Sequence, residues 1–248
     1  SIPLKEAYRL GLILHNPADK LLTSSGNEKD RGVLTKEELG RIVRYLNDHK
    51  KDIFPSYRLG ILLAASTGMR LSEIRAVNTA DFVECEVNGY EKLHITHSIG
   101  YLSGVKGTKG KYDRAILVDK EFAEEIKNNA NSKGVAFPSS RESRDYMSAP
   151  ALRIFFYEVL EAIGIKEEER IERNITFHSL RHSFSTLSRD YEISQEDRML
   201  VLGHKSTKIN DRYTHSTDEA LERVSKLSMV ILSGEKTSAE KGAENGVF

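Results

Sequence analysis

The apolar pattern of the chain changes period twice, and any fold has to accommodate both changes. Leu39, Ile42, Val43 and Leu46 recur three and four apart behind Thr35-Lys36-Glu37-Glu38, a capping-box signature, and a second apolar helix is expected from about 55 to 66, stopping at Thr67-Gly68. From 82 to 118 strand character takes over. Asn88-Gly89 separates FVECEV from KLHITHSI and predicts a two-residue hairpin turn. A second turn is expected over 104–111 (GVKGTKGK), before the β-rich AILV of 115–118. Helical stripes then return near 119–131, 148–163, 178–190, 194–202 and 217–232, and Ser194-Gln195-Glu196-Asp197, with Ile193 as a hydrophobic staple, repeats the capping-box pattern. The expected fold is mainly α with a small three-stranded antiparallel β-sheet, an α+β class.

The 248 residues are ample for one large core, and 39% hydrophobic with 30% charged residues describes a globular chain. The longest apolar run, 59–65, falls far short of the ~20 residues needed to cross a bilayer. Cys85 is the only cysteine, which excludes an intrachain disulfide or a multi-cysteine zinc ribbon and fits a reducing cytoplasm. The chain opens on Ser1 without a secretory signal pattern and reads as a fragment. The expected divisions are 1–32, the tail of a preceding module and its linker; 33–232, the main domain; and 233–248, a flexible tail.

Four clusters carry polar chemistry. Arg70 lies in TGMRLSEI, where a glycine ends an apolar helix; Lys106, Lys109 and Lys111 crowd a glycine-rich turn; His178 and Arg181 lie three apart in HSLRH at a helix start; His204 in LGHKS precedes Tyr213 in DRYTH by nine residues. Each has an ordinary structural reading as surface charge, solvated turn or half-buried aromatic. His178 and His182, with His94 and His97, also offer a metal reading, but the zinc-protease pattern needs a glutamate where Ser179 stands; no metal or other cofactor is expected. Taken in order, the clusters supply two guanidiniums, an ammonium, two imidazoles and a phenol. That set suits attack on a phosphodiester by a tyrosine, because arginine forks match the charge that builds on the non-bridging oxygens.

The chain resembles the catalytic domain of the tyrosine recombinases, the phage-integrase family. TGMRLSEI matches its first box, HSLRH its His-x-x-Arg box, and LGHKS followed by the tyrosine of RYTH its terminal box, and the resemblance spans about residues 33–232. It implies Tyr213 as nucleophile forming a 3′-phosphotyrosine, Arg70 and Arg181 stabilising the transition state, Lys109 as general acid, His178 assisting proton transfer and His204 bonding the phosphate. Lys109, five residues before Arg114, fits the family's lysine register better than Lys106 or Lys111. The implied partner is double-stranded DNA carrying recombination sites, bound by a homotetramer in which the segment 217–232 docks in trans or in cis, and the implied setting is a prokaryotic cytoplasm. A type IB topoisomerase is the alternative, with a non-cleaving DNA-binding regulator and a metal hydrolase further off.

The charge balance, 37 basic against 37 acidic residues, speaks against a generic polybasic binder. It averages unlike parts: Lys106, Lys109, Lys111 and Arg114 stand against Asp113 alone within 100–115, while 216–248 is net acidic. The three residues Lys106, Lys111 and Arg114 are therefore expected to face DNA.

Overall fold

The computed structural model describes residues 2–20, 32–100, 104–107, 114–203 and 218–234. Two compact units divide the chain, 1–30 and 31–248. The first holds α1 (Ile2–Arg9), where Arg9 pairs with Glu6 at 2.6 Å, and a single 3₁₀ turn at Pro17–Lys20 held by Asn16 Nδ2 on Asp19 at 2.7 Å. The helix ends at Arg9, and Leu10, Leu12 and Leu14 beyond it are exposed.

The second unit begins with α2 (Lys36–Asp48). Its capping box forms as the sequence indicates, with Glu38 N–H donating to Thr35 Oγ1 and Thr35 N–H to Glu38 Oε2. α3 (Pro55–Thr67) is the central helix: Leu59, Ile61, Leu63, Ala64 and Ala65 are buried, and it packs against α2, α4 (Leu71–Ile74), α6 (Ala149–Ala162), α8 (Ser179–Asp190) and α10 (Asp218–Ser233). From Leu59 to Ala65 the helix is apolar on every face and sits inside, while Arg58 in its first turn is buried against Glu125 and Asn47. α5 (Lys120–Asn128) and α9 (Gln195–Leu202) complete the expected helices. Ser194 caps α9 by accepting from Asp197 N–H, but Asp197 turns its carboxylate to Arg223 of α10, 3.0 Å away, so the second capping box is half made.

One helix escapes periodicity. α7 (Glu167–Glu172) reads EEERIE and has no apolar stripe; Ile171 is exposed. Its end is anchored by Arg173, which bonds both oxygens of Glu38 and one of Glu169, while Arg170 stacks on Tyr157 4.1 Å from the ring centre.

The expected three-stranded antiparallel sheet forms from β1 (Phe82–Glu84), β2 (Tyr90–Ile95) and β5 (Arg114–Asp119) in the order β1-β2-β5, with Leu93 facing Ile116 across the central pair. Two details differ from the sequence reading. Asn88-Gly89 lies in a five-residue connection, because the strand ends at Glu84 and Cys85 Sγ turns to the carbonyls of Val87 and Tyr90. The segment KLHITHSI breaks at Thr96, and β3 (His97–Gly100) pairs with β4 (Gly104–Gly107) as a separate two-stranded sheet, so the first half of the expected 104–111 turn is strand.

α10 places Leu221, Val224, Leu227 and Ile231 against the core, touching α2, α3, α9 and β5. Ser228 Oγ donates to Ser66 O and Arg44 Nη1 to Gly234 O at either end of the packing. Leu221, Val224 and Leu227 of the segment expected to dock in trans or in cis are thus buried within their own chain, and Val230 is half-buried. No helix among the described residues is long and apolar enough to cross a membrane.

Candidate active site

The site is built where α3 ends. Gly68 takes the left-handed conformation (φ 66°) that closes the helix, with its N–H on Ala64 O, and a Cβ there would lie 2.7 Å from Leu202 Cδ2 and 2.9 Å from Phe184 Cδ1. Only glycine meets both demands. The turn delivers Arg70 to the start of α4, where Arg70 N–H donates to Glu73 Oε2 and Nη1 to Glu73 Oε1, both at 2.8 Å. The Arg70 side chain is 41% exposed, whereas that of Glu73 is 4% exposed.

Glu73 carries a second arginine. Arg114, at the first position of β5, forks onto it with Nη1 on Oε1 at 3.1 Å and Nη2 on Oε2 at 2.5 Å, and its Nε donates to Val201 O at 2.9 Å. Burial by itself would raise the Glu73 pKa, but the hydrogen bond and charge of Arg114, joined by the Arg70 contacts, hold it down at about 2.

Arg181 enters from the first turn of α8 and is buried. Its Nη1 donates to Gly68 O at 2.8 Å and its Nη2 to Leu202 O at 2.5 Å. Burial, then the charges of Arg70 and Arg114 against the opposing pull of Glu73, bring its pKa down to about 9, so it stays charged at neutral pH. Together Arg114 and Arg181 cap the last two carbonyls of α9, which have no partner inside the helix and carry the negative end of its dipole. Three guanidiniums therefore gather around one carboxylate, and an anion is what such a set lacks.

His178 precedes α8, exposed, with its carbonyl accepting from Arg181 N–H at 3.1 Å, and its ring lies edge-on to that of His182 with centroids 4.6 Å apart. Among the described residues no group of three or more His, Cys, Asp or Glu could hold a metal ion. Lys106 lies in β4 opposite Ser98. Lys109, Lys111, His204 and Tyr213 lie outside the described residues.

Two roles differ from the sequence reading. Arg114, expected to face DNA, is folded inward with its side chain 9% exposed and all three guanidinium nitrogens bonded to protein. Hairpin position suggested an outward cation, but the buried Glu73 carboxylate requires an inward one. Glu73 itself sits in TGMRLSEI, and sequence reasoning gave it no part; the signal was its place three residues after Arg70 at a helix start.

The phage integrase family model matches residues 32–220. The chain is 31% identical over 212 residues to tyrosine recombinase XerA of Pyrococcus furiosus, covering 80% of this chain and 63% of that protein. It is 29% identical over 163 residues to the integrase of Enterobacteria phage P21, covering 64% and 40%. The Tn1549 transposon integrase in complex with transposon right end DNA matches the fold with TM-score 0.60 at 19% identity, covering 88% of this chain and 74% of that one. A lambda integrase dimer bound to a core site matches with TM-score 0.52 at 20% identity, covering 88% and 71%. The chain thus spans a little under two thirds of the length of the XerA protein that it matches. With the family model covering most of its length and the family's fold around the Arg70–Arg181 cluster, the chain belongs to the phage integrase family.

Proposed function

We propose that the chain is the catalytic part of a site-specific DNA recombinase that cleaves and rejoins DNA through a 3′-phosphotyrosine. The observation that carries this is the gathering of Arg70, Arg114 and Arg181 around Glu73 from three segments distant in sequence. Arg70 and Arg181 would face the scissile phosphate and neutralise the charge that grows on its non-bridging oxygens; donors of this kind are worth about 10²- to 10³-fold in rate. Tyr213 Oη attacks phosphorus as its proton passes to a neighbouring base, the bond to the 5′ oxygen breaks and Lys109 gives that oxygen its proton, while His178 assists proton transfer and His204 bonds the phosphate. The new ester keeps the energy of the old one, so the reverse attack reseals the strand without ATP or metal.

The partner in this reading is double-stranded DNA with specific sites, held by a homotetramer in a prokaryotic cytoplasm. The relatives named as recombinases and the integrase structures that hold DNA support the DNA partner. Residues 1–32 are the end of a preceding DNA-binding module, supported by the exposure of Leu10, Leu12 and Leu14. The test is a nicked duplex carrying the site, incubated and then denatured. A protein–DNA adduct is expected for the parent chain and none for Tyr213→Phe; no adduct with the parent, or an adduct that persists in Tyr213→Phe, contradicts the reading. Relaxation of plasmid DNA without any site would instead support the topoisomerase alternative.

A further inference from the structure

Arg114 has no part in the chemistry just described, yet all three of its guanidinium nitrogens are bonded beside it. Its Nη1 and Nη2 fill one side of the Glu73 carboxylate, whose remaining capacity holds Arg70 by backbone and side chain; its Nε holds the carbonyl of Val201, two residues before Gly203. Gly203 ends α9 in the left-handed conformation (φ 64°) directly against it, since a Cβ at 203 would lie 3.0 Å from both Arg114 Cδ and Nη1. Arg114 is also the residue with which β5 leaves the lysine-bearing turn. One buried guanidinium thus links the segment that carries Arg70 to the end of α9, where the neighbouring carbonyl, that of Leu202, is held by Arg181.

We propose that Arg114 is a positioning residue, a joint that acts through Glu73 and the end of α9 to set Arg70 in register with Arg181 for one phosphate. Only an arginine can make this joint, because its planar fork meets both carboxylate oxygens while Nε reaches a third acceptor, whereas a lysine offers one point charge. The joint acts through Glu73, so its loss frees Arg70 to shift, and misplacement of about 1 Å in a catalytic group costs on the order of 10²-fold in rate. The inference rests on the cleavage reading above, and the experiment separates the two.

Single-turnover cleavage of the nicked duplex is measured at saturating DNA for the parent, Arg114→Lys, Arg70→Lys and the double variant, each rate taken per folded molecule, with DNA affinity measured against salt in parallel. Arg114→Lys should slow cleavage by about tenfold or more while DNA affinity and its salt slope stay within about twofold of the parent. In the Arg70→Lys background the same change should slow cleavage by a clearly smaller factor, because residues that act through one another are not additive. An equal factor in both backgrounds assigns Arg114 to general stability and overturns the proposal. A weakened affinity with a shallower salt slope and unchanged cleavage makes Arg114 a direct DNA contact and also overturns it. If Arg114→Lys does not fold, Arg114→Gln is read in the same cycle, and an unchanged rate in the folded fraction of both variants again overturns the proposal. A parent that forms no adduct would remove the cleavage reading itself, whereas a parent that cleaves with Arg114→Lys as fast as itself removes only this inference.

Discussion

Glu73 and Glu38 are assembled from the same parts. Each is a buried glutamate at the third position of a helix, each accepts a backbone N–H from the residue three before it at 2.8 Å, and each receives a fork from an arginine far along the chain, Arg114 in one case and Arg173 in the other. The charge balance around them differs. Arg173 is shared between Glu38 and Glu169 and also meets Val33 O, and those carboxylates raise its pKa against the cost of burial. Around Glu73 the ratio is reversed, with Arg70, Arg114 and Arg181 answering a single carboxylate. A cluster whose charges are met within the protein joins elements; a cluster with cations in excess is incomplete until an anion arrives.

Substitutions can break this contrast. The largest effect is expected at Arg181: Arg181→Ala should lower the rate of DNA cleavage by about 10²- to 10³-fold, while Arg173→Ala, measured per folded molecule, leaves that rate within about twofold. Next is acid. The Glu73 pKa, about 2 against an ordinary 4.5, means that the carboxylate contributes stability fully present above pH 4.5 and lost as pH falls towards 2. That contribution is at most about 3 kcal/mol, and Glu73→Gln should flatten the fall in unfolding free energy across this window. Glu38 is also held low, by Arg173 and the Thr35 N–H against burial, so Glu38→Gln should flatten the same limb without touching cleavage. Arg173→Met leaves Glu38 buried without its fork and should cost about 2 kcal/mol in chemical denaturation, less than a fully buried pair because Arg173 is partly exposed. The smallest effect is expected for Gly203→Ala, where φ 64° and the nearby Arg114 guanidinium should cost about 1 kcal/mol in stability.

The two clusters also show how far a sequence of this kind can be read. The core helices were legible because α3 is apolar all round from Leu59 to Ala65 and α2 opens on a complete capping box, both local signals. α7 was not, because its six residues have no apolar face and it is held by Arg170 on Tyr157 and by Arg173. The β3–β4 pairing was hidden by glycines at 104 and 107, which read as a turn. Arg70 and Arg181 were legible through their boxes. The Glu73–Arg114 fork was not, because it joins residues 41 apart and depends on β5 lying beside the end of α9. Hairpin position pointed Arg114 outward, and only the buried carboxylate explains why it turns in.

The excess positive charge around Glu73 is proposed to meet the scissile phosphate. The most direct test replaces that phosphate with a methylphosphonate, which lacks the charge to be neutralised, and compares cleavage by the parent and by Arg181→Ala on both duplexes. The account predicts that the loss of about 10²-fold or more on the phosphate duplex shrinks to within about tenfold on the methylphosphonate. An equal loss on both would place the role of Arg181 in the packing of α3 against α9 and contradict the claim.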